Sequence, residues 1–218
     1  MITYHKKLIP TNRFAVAVSG GVDSLASALL LKRRGHDFAV FHFQNNYLTC
    51  DIEAERKITK FCLDNKLALF IERVKFAYVK GSVEAWCRYE RYAAFNRLCE
   101  RTGIKNIVVC HNLDDCCQSY LMRCLEGNPE YAPIPVITKY DNYTISRPFL
   151  LSPKTEFARY LGKMKGGEYL TEDTMNNNLS LKRNWVREVA RPLLEQRFPG
   201  LAKIVKKRVD KFVRAASL

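Results

Sequence analysis

Six residues, Ser19-Gly20-Gly21-Val22-Asp23-Ser24, constrain this chain more than any other stretch. The apolar run Phe14-Ala15-Val16-Ala17-Val18 leads into them, and a Leu/Ala-rich segment over 25–32 leads out. The pattern is strand, tight glycine turn, helix N-terminus. The first amides of a helix have no partner inside it, and the helix dipole favours negative charge there, so such a turn is an anion site. Two adjacent glycines let the backbone approach a phosphate with no Cβ in the way. Ser19 and Ser24 add hydroxyl donors. Asp23 would repel phosphates unless it holds a metal or a substrate cation. No lysine lies between Arg13 and Lys32, so this is not the Gly-x-x-x-x-Gly-Lys loop, which places its lysine on the β and γ phosphates.

The segments around the turn alternate. Strands are predicted over 14–18, 38–43, 67–74 and 106–110, and helices over 25–34, 51–65, 82–101 and 113–125, with Ser82 as the cap of the third. Strands separated by helices at this spacing require parallel crossovers, hence a doubly wound, mainly parallel α/β sheet. Ligands in such sheets bind beyond the carboxyl ends of the strands, so residues 111–115 are expected beside residues 19–24. Beyond Gly127 the pattern becomes loop, then a hairpin over 136–140 and 143–147 around Asp141-Asn142. A short helix over 153–161 follows, and two final helices over 184–197 and 201–216. The expected division is a catalytic α/β unit over 1–181 and a small, basic, helical extension over 182–218.

Charge supports that division. The net charge is +14, and from residue 182 onward eleven Lys/Arg stand against three acids. Concentrated positive charge without a hydrophobic span points to a nucleic acid rather than a membrane. An apolar content of 47% excludes global disorder. No signal peptide is expected, so the eight cysteines, none in a C-x-x-C pair, read as reduced thiols of a cytoplasmic protein.

Three further constellations carry chemistry. His111-Asn112-Leu113-Asp114-Asp115 ends a strand and enters a helix. Its carboxylates suit Mg²⁺, an ammonium group or a proton, and they also suit a helix N-terminus. Arg88 and Arg91 share a helix face. Arg183-Asn184-Trp185-Val186-Arg187 places arginines and a tryptophan where they can bind phosphate and stack a base, or cap a helix and fill a core.

Taken in order, these blocks resemble the catalytic domain of the tRNA(Ile)-lysidine synthetase family, within the PP-loop ATP pyrophosphatases. The resemblance covers residues 14–194: the Ser19–Ser24 loop, Arg88-x-x-Arg91-Tyr92, His111-x-x-Asp114-Asp115, Arg147-Pro148-Phe149-Leu150, residues 173–176 and Arg183-Asn184-x-x-Arg187. It implies that ATP adenylates the C2 oxygen of the wobble cytidine in an isoleucine tRNA with a CAU anticodon. L-lysine then displaces AMP. It further implies ATP contacts from Ser19, Gly20, Gly21, Val22, Asp23, Ser24 and Phe43, and Mg²⁺ at Asp23 and Asp115. Catalytic roles fall to Asp23, His111, Asp114, Asp115, Arg88 and Arg91, and tRNA contacts to Arg183, Asn184, Arg187, Lys206 and Lys207. A homodimer is left open.

The chain departs from the family pattern at two places. Gln118 stands where the family carries an acid, and Asn45-Asn46-Tyr47-Leu48 replaces a His-Gly-Leu-Arg stretch. Cys110, Cys116, Cys117 and Cys124 keep a tRNA thiolase as an alternative, although their helical spacing reads first as core. An RNA-binding protein with a relic ATP site is the third reading.

Overall fold

The computed structural model describes residues 1–44, 51–74, 83–128, 132–171 and 181–216, apart from the side chains of residues 51 and 84. Residues 45–48, Ser82, Cys50, residues 129–131 and residues 173–176 lie outside the described residues. The strands are β1 (Phe14–Ala17), β2 (Phe38–Gln44), β3 (Ala68–Arg73), β4 (Asn106–Val109), β5 (Ile137–Lys139) and β6 (Thr144–Ser146). The helices are α1 (Val22–Arg33), α2 (Asp51–Asp64), α3 (Val83–Thr102), α4 (Leu113–Leu125), α5 (Lys154–Lys163), α6 (Lys182–Trp185), α7 (Arg191–Arg197) and α8 (Leu201–Ala215), with a π turn at Val186–Ala190.

One six-stranded sheet runs β3-β2-β1-β4-β6-β5. All its pairings are parallel except β5 with β6. The chain builds outward from β1 to β3, then returns to add β4 on the other side of β1. The gap between the carboxyl ends of β1 and β4 is therefore the topological switch point, where an α/β sheet binds ligands. The hairpin expected near residues 136–147 is no appendage: β6 pairs with β4 and extends the sheet, registering Ile107 with Ile145.

Period-two alternation sets the layers. Phe14, Val16, Phe38 and Val40 face one core with α1, α2 and α5, built on Leu25, Leu31, Ile58, Phe61 and Phe157. Ala15, Ala39, Phe41, Ile107 and Ile145 face a second core under α3, closed by Phe95 and Leu98. Residues Ser24 through Leu31 of α1 are all buried, because this helix is covered on both sides, by the sheet and by α5. A third core joins α4 to α8: Val205, Val209 and Val213, at 0–1% exposure, pack with Leu113, Cys116 and Cys117. None of the described helices is long and apolar enough to cross a membrane.

Candidate active site

The loop after β1 is tied shut from three sides. The Ser19 amide donates to Ser24 Oγ at 3.2 Å, and Ser24 Oγ donates to the Gly21 carbonyl at 3.0 Å. The Thr171 amide donates to the Gly20 carbonyl at 3.1 Å. Gly20 has φ +90°, and a Cβ there would collide with the Thr171 side chain, so glycine is required both by conformation and by space. Gly21 is the extended N-cap of α1, which turns the first-turn amides toward the carboxyl edge of the sheet.

Asp23 lies in that first turn, beside the head of α4. Its carboxyl is pushed up to about 6, chiefly by burial, with Asp115 and Asp114 raising it further, while Lys154 and a hydrogen bond from Asn112 pull it down. Its Oδ1 is buried without a hydrogen-bond partner. Asn112 caps α4 in a capping box: the Asp115 amide donates to Asn112 Oδ1 at 2.9 Å and the Asn112 amide to Asp115 Oδ2 at 3.0 Å. Asp115 keeps its other oxygen toward Arg183, 3.7 Å away, and burial raises its pKa.

Asp114 is placed differently. Oδ1 pairs with Arg191 at 2.8 Å and Oδ2 accepts the Lys154 amide, the first of α5, at 2.6 Å. Both oxygens brace helices, so geometry favours Asp23 and Asp115 as the pair facing a ligand. The π turn explains how the brace forms. Arg183 and Arg191 are eight residues apart, an offset of about 80° on an ideal α-helix. The wider i→i+5 turn between them takes up part of that offset, so both reach α4. Gln118, 2% exposed, donates to the Arg183 carbonyl at 2.6 Å and accepts from Arg183 Nε at 3.4 Å. The amide thus holds this arginine without neutralising it, which the acid of the family pattern would do.

His111 follows β4, and its Nδ1 is buried with no hydrogen-bond partner. Burial first, then the charges of Arg147, Arg183, Arg91 and Arg88, hold its pKa well below the usual histidine value. It is therefore a neutral base at physiological pH, not a group poised to titrate there. Arg88 and Arg91 are exposed on α3, and Arg88 lies 5.0 Å over the Tyr92 ring. Of the other expected residues, Phe43 packs with Phe70 and Tyr92 against the α3-side core, Asn184 is buried, and Arg187 pairs with Glu188 at 2.7 Å. Lys206 and Lys207 stand exposed on α8.

Sequence reasoning did not assign Asn112, Arg147, Lys154, Thr171 or Arg191 to the site. Asn112 had a legible signal, an Asn three residues before an Asp at a helix start. The others reach the site from distant parts of the chain, and no spacing announces them. Three of the four cysteines near the site are core, whereas Cys124, expected with them, is exposed at the far end of α4; burial pushes the thiols of Cys110 and Cys117 up to about 12, and that of Cys116 up as well. These three buried thiols are protonated and poor nucleophiles. No group of three or more His, Cys, Asp or Glu suited to a metal occurs among the described residues.

An anion loop, two facing carboxylates and a ring of cations at the switch point of a parallel sheet define an ATP-using α/β domain. The chain belongs to the PP-loop domain family, whose model matches residues 2–197. Among curated proteins it is similar to the tRNA(Ile)-lysidine synthase of Thermus thermophilus, 32% identical over 200 residues, covering 89% of this chain and 38% of that one. It also resembles the tRNA(Ile)-lysidine synthases of Mycoplasma mycoides, 27% identical over 81% of this chain and 45% of that one, and of Escherichia coli O157:H7, 26% identical over 92% and 47%. The chain spans less than half the length of these relatives. Its fold is shared with the U34-tRNA thiolase NcsA of Methanococcus maripaludis, at TM-score 0.75 and 17% identity, over 98% of this chain and 75% of that one.

Proposed function

We propose that this chain is the adenylating domain of a tRNA(Ile)-lysidine synthase, acting in the cytoplasm. The C2 oxygen of the wobble cytidine attacks the α-phosphorus of ATP and pyrophosphate leaves. The lysine ε-amine then adds to C2 and gives up a proton, and the C2–O bond breaks so that AMP departs with the oxygen. The observation that carries the reading is the meeting of the Ser19–Ser24 loop with Asp23 and Asp115 at one switch point, in a chain similar to lysidine synthases over four-fifths or more of its length.

The roles follow from position. The first-turn amides of α1, with Ser19 and Ser24, hold the departing pyrophosphate. The unpartnered Oδ1 of Asp23 fits a divalent cation completed by phosphate oxygens, with the charge of Asp115 beside it, which leaves the Asp115 oxygen not held by the Asn112 amide for the amine. When bound there, Mg²⁺ would supply positive charge against the phosphates. Asp115 orients the lysine amine and takes up its proton. Neutral His111 donates its ring N–H to the reacting phosphate or accepts from the cytosine amino group. Arg183, Arg187, Lys206 and Lys207 are proposed to contact the tRNA, with the helices from residue 182 onward serving as its basic flank; Asn184, expected among these contacts from the sequence, is buried and faces the protein instead.

The test is mass analysis of an isoleucine tRNA bearing a CAU anticodon after incubation with the protein, ATP, Mg²⁺ and lysine. The expected product carries lysine, with one AMP released per transfer. Sulfur transfer from a persulfide donor, with no lysine incorporated, would replace this reading with the thiolase. Asp115→Asn retains an oxygen for the Asn112 amide, so the cap and the fold survive while lysine transfer falls by roughly 100-fold or more. A normal rate in that variant removes Asp115 from the chemistry.

A further inference from the structure

One peptide group governs what the phosphate loop presents to an anion, and its orientation is set from outside the loop. Between Gly20 and Gly21, the carbonyl accepts the Thr171 amide at 3.1 Å. A trans peptide is planar, so its N–H points away from its C=O. The Gly21 amide is accordingly turned to the other side, at the exposed mouth of the loop, 3.4 Å from Ser19 Oγ. Turning this peptide over changes only ψ of Gly20 and φ of Gly21. Neither residue has a Cβ, so the covalent chain leaves both orientations open. In the reversed one, a carbonyl oxygen rather than an N–H would meet the phosphates. The two glycines that let an anion come close therefore need a hold from elsewhere. Thr171 supplies it, with its amide on the Gly20 carbonyl and its side chain over the face of Gly20 that lacks a Cβ.

Thr171 is itself seated by α2. It follows a 3₁₀ turn over Gly166–Tyr169. Lys57 Nζ donates to the Leu170 carbonyl at 2.8 Å, and the Tyr169 hydroxyl donates to Asp64 Oδ2 at 2.8 Å. The buried Tyr169 ring meets Phe61 edge-on at 5.3 Å between centroids, and the Lys60 ammonium lies 5.0 Å from its centre. Lys57, Phe61 and Asp64 stand at i, i+4 and i+7, so one face of α2 grips Tyr169 and Leu170, the two residues before Thr171. The line of contacts runs from α2 through these two residues to Thr171 and ends on the phosphate loop.

We propose that Thr171 is a positioning residue of the phosphate loop. Its amide holds the Gly20–Gly21 peptide with the N–H toward the pyrophosphate portion of ATP, and Lys57 and Asp64 of α2 set its place through Leu170 and Tyr169. The inference rests on the proposed binding of ATP at this loop and is independent of the acceptor. Tether and anion favour the same peptide orientation, so each strengthens the other, and linkage makes the effect reciprocal.

The experiment titrates the full chain with ATP and with inorganic pyrophosphate, both with Mg²⁺, and follows hydrogen exchange at the Thr171 amide by NMR. Lys57→Met and Tyr169→Phe each remove one of the two α2 bonds and leave the loop residues as they are. Each is expected to weaken both ligands about threefold to tenfold, measured well below the melting temperature so that the fold is intact. Thr171→Pro removes the donor itself. Leu170, at φ −65° and ψ 137°, already has the extended backbone that a following proline requires. The loss of affinity in that variant is expected to exceed roughly tenfold. In the wild-type protein, pyrophosphate should slow exchange of the Thr171 amide, because the anion tightens the bond that favours it. A tie that is only structural would lower the melting temperature of the Lys57 and Tyr169 variants and leave their ligand affinities unchanged. That result overturns the proposal, even where Thr171→Pro unfolds, and so does Thr171 exchange that ignores pyrophosphate. Wild-type protein that binds neither ligand removes the ATP reading of the loop, and this inference with it.

Discussion

Asp23 titrates near pH 6 because burial penalises its charge more than any neighbour relieves it. Its folded pKa lies above the unfolded one, so its contribution to stability is present below about pH 4 and is lost as pH rises through 6. At pH 8 Asp23 is a carboxylate whose charge burial penalises. Asp23→Asn is therefore expected to stabilise the protein at pH 8, by on the order of 2 kcal/mol, with the gain fading toward pH 4. Thermal melts of both proteins at the two pH values check this, and an equal gain at both would discard the burial argument. His111 runs the other way: its folded pKa is depressed, so the stability it contributes is present above the ordinary histidine value and is lost as pH falls through that range. Gly20 shows a different limit at the same scale. With φ +90° and Thr171 over it, Gly20→Ala is expected to cost more than about 1–2 kcal/mol in urea titrations and to abolish ATP binding together with it.

At the scale of elements, α4 carries both the fold and the site through one turn. Asn112 accepts the Asp115 amide and also hydrogen-bonds to Asp23, so the cap of the helix is a strut of the carboxylate pair. Asn112→Ala should lose about 1 kcal/mol of stability in urea titration and raise the Asp23 pKa, since a hydrogen bond that favoured its charged form is gone. Carboxyl shifts read by NMR would decide the second part. This turn also marks how far the sequence could be read. Residues 111–115 were legible as a strand-to-helix motif next to the loop, because strand–helix alternation fixes which ends come together. That Asp114 braces α5 and α7 instead of facing a ligand was not legible, since its partners Lys154 and Arg191 lie 40 and 77 residues away. The same holds for the hairpin. Its strands and its Asp141-Asn142 turn are local, whereas the pairing of β6 with β4 depends on the edge that β4 leaves open. The π turn within the segment over 182–197 has no periodic signature, and it reads as plain helix until the two arginines are seen to share a partner helix.

For the whole molecule, the excess of positive charge and the packing of α8 must be weighed together. The sequence sets the basic C-terminus over 182–218 apart as an extension of the catalytic unit. Yet α8 buries Val205, Val209 and Val213 against α4, the helix that presents Asp115. Fully burying three valines is worth roughly 1.5–3 kcal/mol each, an upper estimate that rivals the 5–15 kcal/mol stability of a typical domain. Truncation after Glu195 would thus loosen the carboxylate helix, and a loss of tRNA binding would say nothing about charge. The informative change keeps the valine face and alters the opposite one, where Lys203, Lys206, Lys207 and Lys211 are exposed. Reversing Lys206 and Lys207 to Glu leaves the α4–α8 core intact, so the melting temperature should move by no more than a few degrees. If this face lies along a nucleic-acid backbone, affinity for tRNA at 50 mM salt should fall roughly 10-fold or more. The deficit should shrink as salt rises toward 300 mM, because screening removes the term that was changed. ATP affinity should not respond, since the loop amides and the carboxylates at the switch point stay where they are. A double reversal that binds tRNA as the wild type does at every salt concentration would return these lysines to the role of a solvated helix face, and would shift the RNA footprint to the arginines along the carboxyl edge of the sheet.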